Sequence, residues 1–176
     1  MSNTMKIEGR AWVIRDPSGR AINDIDTDMI YHNAHLAVTD VKEMGKHSFG
    51  NLDGWKDFPS KVKAGDIIIA GSNFGCGSSR QHAVDCFRSL GAAALVVESV
   101  GAIYKRNAIN SAFPLLVVPG ALSTAIANGD IVSLDFESGE LSVPAKGIHV
   151  KGIPFSSVQK DIFQAGSLFK VRPQGR

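Results

Sequence analysis

Residues 66–80 read Asp-Ile-Ile-Ile-Ala-Gly-Ser-Asn-Phe-Gly-Cys-Gly-Ser-Ser-Arg and join an apolar run to a glycine-rich loop. The apolar run lies between Gly65 and Gly71, a pattern typical of a strand that is buried on both faces. After the loop, apolar residues recur at helical spacing up to Gly91, which predicts a helix that ends there. These apolar positions are Ala83, Cys86, Phe87 and Leu90.

The flanking sequence continues the alternation of strands and helices. A strand over 94–97, a helix over 100–110 and a strand over 114–118 follow, so an α/β layer with parallel strands is predicted. Further elements are predicted as a strand over 5–15 with a turn at 16–19, a helix over 39–46 with Thr39 as its N-cap, β segments over 131–136, 140–144 and 148–151, and a helix over 155–165.

Length and composition are those of a globular protein. The chain has 176 residues, of which 44% are hydrophobic and 20% charged. A chain of about 150 residues buries roughly 68–70% of its unfolded surface, so we expect one domain over 1–176. The net charge of +2 is dispersed, which argues against nucleic-acid or membrane-surface binding. No signal peptide and no run of about 18 apolar residues is visible, and a cytoplasmic location is predicted.

Two cysteines, Cys76 and Cys86, stand ten residues apart without a CxxC motif. This spacing predicts neither a zinc site nor a disulfide framework, and no metal site is expected in this chain. Cys86 is interpreted as a buried thiol, whereas the role of Cys76 stays open.

The glycine-rich loop carries the chemistry. A loop between a buried strand and a helix collects backbone N–H groups and the positive helix end, and so favours an anion. The loop lacks the Gly-Lys-Ser/Thr and third-glycine signatures of nucleotide motifs. Ser78 and Ser79 either cap the helix or contact a ligand, while Arg80, expected just inside the helix, favours a carboxylate or phosphate. For His82 a structural role is favoured over a catalytic one.

Residues 73–83 closely resemble the signature loop of the aconitase superfamily's swivelling domain. Further matches lie in order at 24–28, at 63–66, and at 104–110 with the following Pro114. The chain is most similar to small subunits of the isopropylmalate isomerase type. The resemblance implies a swivelling β/β/α domain with a mixed, partly parallel sheet and flanking helices.

The resemblance also implies an activity and a set of site residues. Members of the family isomerise a hydroxy-acid by dehydration and rehydration. Ser78 matches their catalytic base and Asp28 an acidic residue near the active site, although Asp24, Asp26 and Asp28 are equally well interpreted as turn or helix caps. The positions matched to substrate binding are Gly77, Ser79 and Arg80, and those matched to supporting roles are Asn73 and His82.

A cofactor and a partner follow from the same resemblance. The family uses a [4Fe–4S] cluster whose open iron acts as Lewis acid, and such a cluster needs three protein thiolates. With only Cys76 and Cys86 this chain cannot hold it, so a large cluster-bearing subunit is expected, in a heterodimer or heterotetramer. The chain alone should be folded and inactive.

The segment His35, Leu36, Ala37, Val38 and Thr39 matches the family's substrate-specificity loop. Its apolar residues and the absence of arginine favour an alkyl-substituted malate, with 2-isopropylmalate first and 2,3-dimethylmalate or citramalate as alternatives. A stand-alone carboxylate-binding module is the remaining hypothesis. Gln81 departs from the family, which usually has glutamate there, so a neutral hydrogen bond is expected in place of a salt bridge.

Overall fold

The computed structural model describes residues 4–171 and is built on one seven-stranded sheet. Its strands are β1 (Lys6–Val13), β2 (Ile67–Ala70), β3 (Ala94–Val97), β4 (Leu115–Val117), β5 (Ile131–Asp135), β6 (Glu140–Val143) and β7 (Ile148–Lys151). Their order across the sheet is β4-β3-β2-β1-β5-β6-β7. The sheet is mixed, so the predicted α/β class with a partly parallel sheet is confirmed.

Strands β1 to β4 are parallel, whereas β5 to β7 add antiparallel neighbours on the other side of β1. The parallel half matches the strand-helix-strand pattern, in which a helix must return the chain to the same end of the sheet. The antiparallel half needs only tight connections, and Gly139 and Gly147 adopt positive φ between its strands. All seven strands lie within two residues of their predicted bounds.

The sheet is buried on both faces. Ile68 packs into a core with the helices on one face, while Ile67 and Ile69 pack into a second core that includes Phe136 and Phe163. Successive side chains of a strand point to opposite faces, so an unbroken apolar run serves both cores.

The carboxylate of Asp66 anchors the start of β2. It accepts hydrogen bonds from Arg10 Nη2 at 2.6 Å, Trp12 Nε1 at 2.7 Å and Lys63 N at 2.8 Å. Burial alone would raise the pKa of Asp66, but these donors hold it below its ordinary value. The buried charge is therefore paired, as the low polarity of its surroundings requires.

The helices are short and lie in the connections. They are α1 (Thr27–Ile30), α2 (Val41–Met44), α3 (Phe58–Lys61), α4 (His82–Ser89), α5 (Ala102–Asn110) and α6 (Ser157–Ala165). Single 3-10 turns lie at Asn33–His35, Gly45–His47, Ala121–Ser123, Pro144–Lys146 and Leu168–Lys170. Helix α6, predicted over 155–165, carries a capping box at Ser156 and ends at the left-handed Gly166.

Three helix predictions were wrong in detail. Asp40, not Thr39, caps α2, because the Asp40 carboxylate accepts from Lys42 N. Helix α4 begins at His82, so Arg80 precedes the helix instead of lying inside it. Helix α5 begins at Ala102, two residues after the predicted start at residue 100.

Two sequence predictions extend to residues that the structure does not describe. The single domain expected over 1–176 includes residues 1–3 and 172–176, which lie outside the described range. Within residues 4–171, no helix is both long and apolar enough to cross a membrane. Trp55, in the connector before α3, is buried, and its Nε1 donates to Arg15 O at 2.8 Å.

Candidate active site

The glycine-rich loop after β2 is held on both sides by neighbouring chain segments. Gly75 N donates to Ile25 O at 2.7 Å, on the acidic segment that precedes α1. On the other side, Gly101 N donates to Phe74 O at 2.8 Å at the start of α5. Hydrogen bonds on both sides therefore fix the loop at the end of β2, which suits a site whose atoms must stay in place.

Gly75 is the residue of this loop that has the least room for a side chain. Its φ is +70°, and a Cβ built on it would lie 2.3 Å from Tyr104 Cγ. We expect Gly75→Ala to destabilise the chain by about 2–5 kcal/mol, because it adds an overpacked contact to left-handed backbone strain. The measurement is denaturant unfolding of the purified chain.

The matched control is Gly77→Ala in the same loop. Gly77 has φ +93°, but the nearest atom to its Cβ would be 3.7 Å away. This variant should lose only the backbone cost of about 1–2 kcal/mol. Equal losses in the two variants would show that the contact with Tyr104 is not what constrains Gly75.

Ser78 and Ser79 are exposed on the loop and do not cap α4. The N-cap of α4 is Gln81, which makes no side-chain capping bond. Ser79 Oγ accepts from Asn107 Nδ2 at 3.4 Å, whereas Ser78 Oγ contacts no hydrogen-bond partner among residues 4–171. Capping is thus excluded as the reason for either serine, and Ser78 presents a free hydroxyl to solvent.

The backbone around the serines is rich in donors. Within the described part of the chain, no acceptor pairs with the backbone N–H groups of residues 77–82. The last of these residues begins α4, where the helix dipole is positive. Consecutive exposed N–H groups at a helix entrance form a surface suited to a carboxylate.

Arg80 is held by Asp28, 52 positions away in the sequence. Arg80 Nη1 donates to Asp28 Oδ1 at 2.6 Å and to Tyr31 O at 3.1 Å, and the arginine side chain is only 15% exposed. Both contacts use one nitrogen of the guanidinium. No hydrogen bond within residues 4–171 uses the edge formed by Nε and Nη2, and an edge of this kind matches a carboxylate with two parallel hydrogen bonds.

Asp28 is ionised and oriented by several donors. The hydrogen bond from Arg80 lowers the pKa of Asp28, and the bond from Asn33 N adds to that effect. Its second oxygen accepts from Asn51 Nδ2 at 3.1 Å. The two interpretations of the acidic segment, as caps and as a residue near the active site, therefore apply to different residues. Asp26 caps α1 by accepting from the N–H groups of residues 28 and 29. Asp28 instead contacts Arg80 in the glycine-rich loop between β2 and α4, residues 71–81, which is called the serine loop below.

Asn73 and His82 brace the site instead of entering it. Asn73 Nδ2 donates to Asp24 Oδ1 at 2.8 Å and so ties the loop to the acidic segment. His82 Nε2 lies 3.2 Å from Val38 O, and because a carbonyl only accepts, that nitrogen carries the proton. The structural interpretation of His82 agrees with this contact.

The segment from His35 to Thr39 lies beside the serine loop and divides into two parts. Leu36 is 39% exposed and Ala37 is also exposed, whereas Val38 packs on the helical core. The His35 ring is half-buried. Thr39 is exposed and leads into the N-cap of α2.

Gln81 makes two hydrogen bonds of its own. Its Nε2 donates to Asp85 Oδ1 at 3.2 Å and to Ser111 Oγ at 2.7 Å. A neutral hydrogen bond is thus present at this position, as expected from the sequence. An amide suits the place, because a carboxylate there would face the carboxylate of Asp85.

Two site residues were missed from the sequence. Asn107 reaches Ser79, and its only signal was its place within a segment that resembles the family. Asn51 orients Asp28 from a connector without periodicity, and nothing in the sequence marks it.

The cysteines do not fit an iron–sulfur cluster. Burial raises the pKa of Cys86 to about 12, and its Sγ donates to Ala83 O. Burial also raises the pKa of Cys76, helped by the neighbouring charges of Asp26 and Asp24. A [4Fe–4S] cluster with one open iron needs three protein thiolates, and across residues 4–171 no group of three or more His, Cys, Asp or Glu side chains is arranged to hold a metal ion.

Comparisons with known proteins identify the family of this chain. Residues 20–119 match the family described as the aconitase C-terminal domain. The chain is 37% identical over 166 residues to the 3-isopropylmalate dehydratase small subunit of Halothermothrix orenii, covering 94% of each chain. It is 39% identical to the 2,3-dimethylmalate dehydratase small subunit of Eubacterium barkeri, covering 83% of this chain and 88% of that one. The crystal structure of 3-isopropylmalate dehydratase from Methanocaldococcus jannaschii matches with a TM-score of 0.82 at 34% identity, covering 94% of this chain and 92% of that one.

Proposed function

This chain belongs to the aconitase C-terminal domain family, and from that premise we propose that it is the small subunit of a two-subunit hydro-lyase. The proposed reaction isomerises 2-isopropylmalate to 3-isopropylmalate by dehydration and rehydration, a step of leucine biosynthesis. The cytoplasmic location predicted from the sequence remains part of this proposal.

The observation that carries the proposal is the composition of the loop at residues 77–82. An exposed serine hydroxyl without a partner, unpaired backbone donors and an arginine with one open edge lie within six residues. A site that only bound a carboxylate would need the donors and the arginine, but not the free hydroxyl. A reaction that removes a proton next to a carboxylate needs all three.

Ser78 is proposed to accept the proton that lies alpha to a substrate carboxylate. A serine hydroxyl is too weak an acid at its ordinary pKa to lose its proton to water near neutral pH, so the alkoxide must be stabilised by its surroundings; when it takes up the substrate proton it returns to the neutral hydroxyl. The N–H groups of residues 77–82 and the positive end of α4 supply such stabilisation. Arg80 contributes less than a free arginine would, since Asp28 already neutralises its charge.

Arg80 and Ser79 are proposed to hold the substrate carboxylate. Asp28 fixes Nη1 of Arg80, which orients the Nε and Nη2 edge before substrate arrives. Ser79 is oriented by Asn107 in the same way. Groups that are already oriented lose little entropy when substrate binds, and this favours the transition state of the proton transfer.

A large subunit is proposed as the partner, in a heterodimer or heterotetramer, and as the holder of the [4Fe–4S] cluster. The relatives carry the name small subunit, and the two cysteines of this chain do not fit a cluster. The serine loop is open to solvent on this chain alone. Closure by a partner would exclude water from the site.

The substrate is proposed from the exposed part of the specificity segment. Leu36 and Ala37 are exposed and directly precede Val38, whose carbonyl oxygen contacts His82 at the start of α4, so they are the residues proposed to meet an alkyl group. No arginine lies between residues 32 and 39 to bind a further carboxylate. The 2,3-dimethylmalate alternative has support from one relative's name, and citramalate is chemically similar.

The test is an anaerobic pull-down of the tagged chain from its native cells. We expect a brown partner to copurify and the pair to dehydrate 2-isopropylmalate with a higher kcat/KM than 2,3-dimethylmalate or citramalate. The chain without the partner should be inactive on all three. Visible absorption and an absorbance assay of the unsaturated intermediate measure these outcomes.

Each contrary outcome selects a different function. A higher kcat/KM on 2,3-dimethylmalate or citramalate would reassign the substrate and keep the chemistry. A colourless chain that copurifies with nothing and binds malate tightly would support a carboxylate-binding module instead.

A further inference from the structure

Four of the five histidines of the chain gather around one buried tyrosine. Ring centroids of His35, His47 and His82 lie 6.3, 5.9 and 5.3 Å from that of Tyr31, and His32 lies 6.3 Å from His35. The closest pair is His35 and His47, whose rings stack at 3.8 Å with an interplanar angle of 18°. The cluster forms no metal site among the residues described.

His47 lies in the segment of residues 45–49, called the platform below, which is fixed to the core of the protein. It ends the 3-10 turn Gly45–His47, and the two residues that follow it are fully buried. Phe49 N donates to Ile30 O at 2.8 Å, which ties the platform to α1. Gly45 packs so closely on α4 that a Cβ would lie 2.9 Å from Leu90 Cδ2. The platform is therefore continuous with the helix that follows the serine loop.

The segment that His47 contacts, residues 32–38, makes few hydrogen bonds to the rest of the chain. Its hydrogen bonds within residues 32–38 are local ones between neighbouring turns. Three bonds join it to residues outside, Asn33 N to Asp28 Oδ1 at 3.0 Å, Tyr31 Oη to His35 O at 3.2 Å and His82 Nε2 to Val38 O at 3.2 Å. Between the last two of these bonds lie the exposed Leu36 and Ala37, which make no such bond themselves. Of the rings that contact His35, that of His47 is the nearest and is stacked on it, so it is the contact best placed to orient the start of this stretch.

We propose that His47 is a positioning residue, which sets where Leu36 and Ala37 stand by stacking on the ring of His35. This inference rests on the proposed function to the extent that Leu36 and Ala37 meet the alkyl group of the substrate. Its structural part concerns the chain alone and is tested without a partner.

The stack also makes the segment sensitive to acid. Burial lowers the pKa of His47, and the charges of His35 and Lys46 lower it further. The other titratable or charged groups that face the two rings are Tyr31, His32 and Glu43, with Asp28 3.9 Å beyond His32. Unfolded histidine titrates near pH 6.5, so the stack is unaffected above about that pH and weakens as the pH falls below it.

The experiment compares His47→Ala with His47→Phe, which keeps a stacking ring and loses the proton. In the full chain at neutral pH, amide hydrogen exchange of residues 33–38 should rise about five- to tenfold in His47→Ala and less than about twofold in His47→Phe. In the reconstituted enzyme, KM for 2-isopropylmalate should rise by a similar factor in His47→Ala with kcat nearly unchanged. The rise of KM below about pH 6.5 should disappear in His47→Phe.

His149→Ala is the matched control, because His149 is exposed and lies outside the cluster. It should change neither the exchange nor KM, and circular dichroism checks that each variant folds. Unchanged exchange in His47→Ala, or equal defects in the Ala and Phe variants, would overturn the proposal. Faster exchange in His47→Ala together with a wild-type pair that is inactive on every malate would support the positioning role and reject the proposed function.

Discussion

Ser78→Ala is expected to lower kcat of the reconstituted two-subunit enzyme by about 10³-fold, within the range measured for removal of a general base. The hydroxyl has no partner among residues 4–171 that could take over its role, and the neighbouring donors cannot accept a proton. KM should change little, because the carboxylate contacts remain. Steady-state kinetics on 2-isopropylmalate measure both constants.

Ser79→Ala is the matched control for this prediction. It removes an equally exposed hydroxyl from the same loop, but one that accepts from Asn107 and is proposed to bind substrate. Its main effect should fall on KM. Neither change should alter the free energy of unfolding by more than about 0.5 kcal/mol, because neither serine caps α4. A Ser78→Ala enzyme with full kcat would exclude Ser78 as the base.

Arg80→Lys should lower kcat/KM by about 10²–10³-fold although it conserves the charge. An ammonium cannot keep the contact with Asp28 and also present two parallel donors to a carboxylate. Two charge-assisted hydrogen bonds, each worth about 1.5–3 kcal/mol, are weakened at once. Most of the loss should appear in KM, with some in kcat because the reacting carbon is no longer aligned.

Arg88→Lys provides the control on α4. Arg88 Nη1 contacts Asp85 Oδ1 at 2.7 Å, so it is also an arginine paired with aspartate, but it lies seven residues after the serine loop. Its replacement should leave kcat/KM within about twofold and stability within about 1 kcal/mol, as is usual for a partly exposed pair. Equal kinetic defects in the two lysine variants would mean that α4 is disturbed in general and that Arg80 has no special contact with substrate.

The fold was predictable because its signals are local. The apolar run at 66–70, the positive-φ glycines at the ends of elements and the capping box at Ser156 each depend on neighbouring residues. The short helices were harder. Helix α2 has four residues and α3 began inside a connector without periodicity, so tertiary packing decided their bounds.

The site was predictable only in part. Residues 77–80 are adjacent in the sequence, and the chemistry of serine, arginine and backbone N–H groups points to a carboxylate without knowledge of the fold. The expected place of Arg80 just inside the helix was wrong, because α4 starts two residues later, and the pairing of Arg80 with Asp28 was not predicted.

The order of strands and helices along the chain and the position of the glycine-rich loop were determined by the amino-acid sequence itself, since burial pattern and turn chemistry are properties of short segments. The tertiary structure alone decided that Asp28 holds Arg80 and that His47 stacks on His35. Neither pair has a sequence signal. Such contacts depend on how α1, α2 and α4 pack against one another, and packing brings together residues whose spacing in the chain carries no period.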